Sequence, residues 1–144
     1  MLKNLVITRL LACLVASALA APVAIAAEDW PRVEVADLTG QLVSSLQAIA
    51  GQADDGSSQP EALQEKNFHA ALVELRQLII DTRKLETMLI DGDNMHQTLP
   101  RYRQLTKLRK SVRYYAENTI IGADIRQQAD ITISLFERLD DYYK

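Results

Sequence analysis

The sequence predicts an all-α protein, an antiparallel four-helix bundle, and three observations carry that prediction. Between Glu34 and Lys144 apolar residues recur at three- and four-residue spacing and do not alternate convincingly with period two. Glycine, proline and short polar clusters interrupt the recurrence at Gly51, near Pro60, at Asp91–Asn94 and at Gly122. No segment repeats at the periods of solenoid arrays, so the helices must bury their stripes against one another.

The first element stands outside that bundle. Lys3 and Arg9 open the chain without an acid, an apolar run follows from Leu10, and Ala24-Ile25-Ala26 precedes the first carboxylates, Glu28 and Asp29. Those are the three parts of a secretory signal peptide, so residues 1–26 read as a removable segment and 27–144 as one helical domain. A retained anchor would need roughly 20 apolar residues, and here Pro22 breaks a shorter run. Leu10-Leu11-Ala12-Cys13 has the outline of a lipoprotein processing box. It would leave only Leu10 to Ala12 as the apolar segment, against the ~7 residues that export needs.

The first helix starts near Val33, with Val35, Leu38, Leu42, Leu46 and Ile49 on one side, and Gly51 is expected to end it. Gln52 to Gln59 reads as a loop. Pro60 and Glu61 suit the first turn of a second helix, where a missing donor costs nothing and an acid complements the dipole. Its stripe is Ala71, Leu75, Leu78, Thr82, Leu85 and Leu89, flanked by Phe68, Leu72, Ile79 and Met88, and it is expected to end at Asp91–Asn94. A third helix, expected from Pro100, carries Leu105, Leu108, Val112, Tyr115 and Thr119. A fourth stripe holds Ile125, Thr132, Leu135, Phe136, Leu139, Tyr142 and Tyr143. An unbroken helix from Pro100 to Tyr143 would be about 65 Å long, overhanging the second by about 20 Å. That overhang, and a phase shift of the stripe near Ile120, place a break at Gly122 with Asp124 in the first turn beyond it. The alternative is three helices with a very long last one.

Composition narrows the function. Cys13 is the only cysteine, and it leaves with the signal segment, so the domain has no disulfide and no thiol nucleophile. Loss of Lys3 and Arg9 leaves 14 cations against 19 acids, a net charge of about −5 that serves ordinary solubility. No serine sits in an elbow sequence, and Asp54-Asp55 and Asp140-Asp141 lie in a loop and near a chain end, where carboxylates stay solvated. No catalytic residue is assigned and no enzyme activity is expected.

Metal and cofactor sites fare no better. His69 precedes Met88 on one helix by about 28 Å, too far to share an ion. His69 also falls about 140° from the centre of the stripe, toward solvent. No Cys-x-x-Cys-His or paired Glu-x-x-His is present. Met88, Met95 and His96 have the donor types copper takes, but Met88 suits packing and Met95-His96 reads as loop. Asp91-Gly92-Asp93-Asn94 fails as a calcium loop, because Met95, His96 and Tyr102 occupy positions that require oxygen ligands or glycine. No metal site and no cofactor are assigned; a metal- or cofactor-binding bundle stays as the second reading of function.

One surface stands out. From Asn94 to Ala116 there are six cations, Arg101, Arg103, Lys107, Arg109, Lys110 and Arg113, and no acid. At 100° per residue Arg103, Lys107 and Lys110 gather with Tyr114 opposite Leu105, Leu108 and Val112. The competing reading is that these cations balance Glu74, Asp81, Glu86, Asp130 and Glu137 on neighbouring helices. In an exported, periplasmic or secreted protein such a strip meets a partner protein or an anionic envelope component rather than nucleic acid, with no membrane span left after cleavage. The sequence therefore predicts a non-enzymatic binding bundle with Arg103, Lys107, Lys110 and Tyr114 as its contact residues. Mass spectrometry of the exported protein should give a chain that starts at Ala27; a mass that includes residues 1–26 would show the segment to be an anchor.

Overall fold

The computed structural model describes residues 30–55, 65–119 and 121–144. The expected signal segment, the expected loop over 56–59 and the expected helix start at Pro60 lie outside the described residues. Four helices follow in order: α1 Arg32–Asp54, α2 Glu65–Asp91, α3 Met95–Glu117 and α4 Ala123–Tyr142. The described residues contain no strand. The helices pack antiparallel as a four-helix bundle, and the break between α3 and α4 rules out one long terminal helix. Gly122 is the N-cap of α4 in extended conformation, with Asp124 in the first turn.

Leucine dominates the centre. Val35, Leu38, Leu42 and Leu46 of α1 meet Leu75, Leu78, Leu85 and Leu89 of α2, Leu105 and Leu108 of α3, and Leu135, Phe136 and Leu139 of α4. Each fully buried side chain of this size contributes roughly 1.5–3 kcal/mol by leaving water. Threonines hold some stripe positions without leaving a bare hydroxyl. Thr39 donates to the Val35 carbonyl (2.6 Å), Thr82 to Leu78 (2.7 Å) and Thr132 to Gln128 (2.9 Å), each one turn back along its own helix. Ser45, Thr132 and Gln128 form one polar layer between α1 and α4: the two hydroxyls lie 2.7 Å apart and Gln128 donates to Ser45 at 2.8 Å.

Two helix boundaries differ from expectation. α1 does not stop at Gly51 but runs another turn to Asp54, so residues 52–54 are helix and not loop. That turn has anchors that outweigh one glycine: Ala53 is buried, and Asp54 accepts from Arg76 of α2 at 3.1 Å. α3 begins at Met95 rather than Pro100, which sits inside the helix. The cause is a reciprocal cap. The Gln97 amide donates to the Asn94 side chain (3.1 Å), and the Asn94 amide donates to the Gln97 side chain (2.9 Å). Two orphan donors are thereby satisfied, which offsets the one helical bond that Pro100 cannot make.

The α2–α3 turn is accordingly only Gly92 to Asn94. Gly92 has φ +107°, and the Gly92 and Asp93 amides donate back to the Leu89 and Met88 carbonyls. This is the two-bond helix termination that favours glycine. Arg32, in the first turn of α1, adds a guanidinium bond to the Leu89 carbonyl and so fixes the start of α1 against the end of α2. These two glycines should respond oppositely to alanine. Gly51→Ala, whose methyl meets nothing within 4 Å, should stabilise by about 0.5–1 kcal/mol. Gly92→Ala should destabilise by about 1 kcal/mol or more. Urea-denaturation midpoints check both.

Candidate functional site

α3 turns Leu105 and Leu108 inward, which directs Arg103, Lys107, Lys110 and Tyr114 outward. All four are exposed, Tyr114 by 66%, and its ring meets Tyr115 edge-on at 5.4 Å. The six cations of the helix divide into two sets. Arg101 reaches the buried Asp81 of α2 at 3.1 Å, Arg109 reaches Asp140 of α4 at 3.1 Å, and Arg113 pairs with Glu117 one turn on at 2.7 Å. Arg103, Lys107 and Lys110 have no carboxylate within 4 Å among the described residues. Charge balance by neighbouring helices thus accounts for Arg101 and Arg109, and the outer strip keeps its own charge.

The paired set is structural. Asp81 is buried between α2 and α3, where an unpaired carboxylate would be costly. Arg101, Lys84 and Gln77 all donate to it. Asp140 accepts two bonds from Arg109 (3.2 and 3.1 Å) and one from the Tyr102 hydroxyl (2.6 Å). The Arg109 guanidinium also lies 4.9 Å from the centre of the Phe136 ring.

Helix backbones pack closely on three sides of the bundle, α1 with α2, α2 with α3 and α1 with α4. On the fourth side α3 and α4 stand further apart, bridged by Asp140. Beyond that bridge, toward the α3–α4 turn, a cleft of about 780 Å³ reaches the core. Leu46, Leu72, Leu75, Leu78, Val112 and Phe136 are among its apolar lining. Nothing in the periodicity announced it. The available signal was a pair of alanines: seven residues on from Arg109 is Ala116, seven back from Phe136 is Ala129, and both line the cleft.

At the other end the bundle is closed by aromatic rings. Tyr102 and Tyr143 stack with centroids 4.2 Å apart, Trp30 meets Tyr143 edge-on at 5.5 Å, and the Trp30 indole donates to the Tyr142 carbonyl at 3.0 Å. The Tyr143 hydroxyl donates to buried Thr98 at 2.8 Å. The imidazoles lie apart from any such cluster. His69 is exposed on α2, 3.7 Å from Glu65, and His96 is exposed in the first turn of α3 rather than in a loop. Asn94 is committed to capping. Among the described residues no three histidine, cysteine or acidic side chains gather as a metal-ligand group.

No described helix is long and apolar enough to cross a membrane. Compared with protein-family models, curated proteins and solved structures, the chain matches none.

The aromatic end has a pH signature. Burial raises both the Tyr102 and Tyr143 hydroxyls to about 12, Tyr102 with further help from the Asp140 carboxylate that accepts its proton. A raised folded pKa adds stability that is complete below the ordinary tyrosine value near 10 and is lost as pH rises toward 12. The melting temperature should fall across that interval, and Tyr143→Phe should shrink the fall; an unchanged slope in the variant would contradict the assignment.

Proposed function

We propose that the chain is an exported, non-enzymatic bundle that docks on an acidic surface, of a partner protein or of the cell envelope, through Arg103, Lys107, Lys110 and Tyr114. The observation that carries the proposal is the division of charge on α3. Cations that reach across the bundle are neutralised by Asp81 and Asp140, whereas the three on the outer strip have no carboxylate within 4 Å among the described residues. Holding like charges together on one helix is unfavourable, and in a chain of net negative charge the strip contributes little to solubility. An external anion would relieve it.

Tyr114 fits the same role. A largely exposed ring beside cations offers an apolar face and a hydroxyl at low conformational cost, a combination enriched at interfaces. The scaffold suits presentation, because the strip sits on a capped helix whose opposite face is locked into the leucine core.

The test is a charge reversal, Arg103→Glu/Lys107→Glu/Lys110→Glu. Capture of an envelope protein from a lysate, or of vesicles containing anionic lipid, should be lost in the triple variant and weakened in the parent by about 0.2 M salt. The melting temperature should stay the same, because none of the three side chains makes an ion pair within the described fold. Undiminished capture by the variant would sink the proposal.

A further inference from the structure

The cleft between α3 and α4 has a different character from the outer strip. Its floor is the leucine core itself, with Leu46, Leu75 and Leu78 at the bottom. Its rim is charged, and most of that charge is already committed: Arg109 to Asp140, and Arg113 to Glu117. Two cations are left, one on each wall. Among the described residues Lys110 of α3 and Arg126 of α4 have no carboxylate within 4 Å, and the Arg126 guanidinium lies 3.5 Å from the Ile121 carbonyl. Glu137 is the rim carboxylate outside an ion pair among the described residues.

We propose that this cleft binds a single-chain amphipathic anion, a long-chain carboxylate whose tail lies on the leucine floor and whose head is attracted by Lys110 and Arg126. The shape of the site favours that occupant. A volume of about 780 Å³ falls within the roughly 300–1,000 Å³ of small-molecule sites. An apolar floor with a few cations at the mouth matches an apolar tail with one anionic end. Ala116 and Ala129 keep the walls clear where larger side chains would close them. Lys110 belongs to both features, but the cleft can be filled whether or not the outer strip docks on anything.

Dodecanoate in solution, below its micelle-forming concentration, tests this without any surface present. Calorimetric titration of the purified protein should show saturable binding of one dodecanoate per chain, and dodecanol should bind about tenfold more weakly. Ala129→Trp, which puts an indole between the walls, should cost about tenfold or more in affinity. Ala116→Phe does the same from the opposite wall should the first variant fail to fold; helical circular dichroism monitors both. Lys110→Glu/Arg126→Glu should weaken dodecanoate and leave dodecanol unchanged. No saturation, equal binding of alcohol and carboxylate, or full affinity in a cleft-filling or charge-reversed variant would each overturn the proposal. So would self-association in sedimentation that Ala129→Trp abolishes, which would assign the cleft to a second copy of the chain.

Discussion

α4 packs along α1 but stands away from α3, and on that side the Asp140 carboxylate is the hinge of the structure. It receives three donors from α3, two from Arg109 and one from Tyr102, while Arg109 lies over Phe136. Removing the carboxylate would leave a half-buried guanidinium and a tyrosine hydroxyl without their acceptor, a larger effect than the loss of a surface ion pair. Three other features depend on this contact. It brings Tyr102 onto Tyr143 to close one end of the bundle. It sets where α3 and α4 begin to diverge, and hence the near wall of the cleft. By holding the inner side of α3 it also fixes the rotation that exposes Arg103, Lys107 and Lys110.

The core was legible because leucine spacing is a local property. Leu75, Leu78, Leu85 and Leu89 are buried as their four- and three-residue intervals require. The break at Gly122 followed from length, since no partner was long enough to cover an uninterrupted helix. What misled was punctuation taken residue by residue. Gly51 and Pro100 are helix breakers by propensity, yet Asp54 with Arg76, and Asn94 with Gln97, supply compensating bonds. The Asn94-x-x-Gln97 pair was readable as a cap; the pairing of Asp54 was not, because it depends on where α2 lies.

The surface was legible only in part. Angles around α3 gave the outward set correctly, but which cations would be neutralised depended on Asp81 and Asp140, 20 and 31 residues away in sequence from Arg101 and Arg109. A carboxylate on a neighbouring helix is a tertiary fact. The cleft is more remote still from sequence, because it arises where two stripes fail to meet. Residues such as Leu72, Val112 and Ala129 belong to core-facing positions and are only partly buried, for want of a neighbour across the gap.

The link between Trp30 and the Tyr142 carbonyl spans 112 positions of sequence, and it bears on the order in which the fold is completed. α2 and α3 form a hairpin through a three-residue turn and a local cap, at small cost in loop entropy. Seating the start of α1 is another matter: the indole needs the last turn of α4 as its acceptor and Tyr143 as its edge-on ring partner. A nascent chain can therefore assemble its central hairpin early, but the aromatic end stays open until Tyr142 and Tyr143 arrive. The first and last turns of the helical domain lock each other, and neither locks alone.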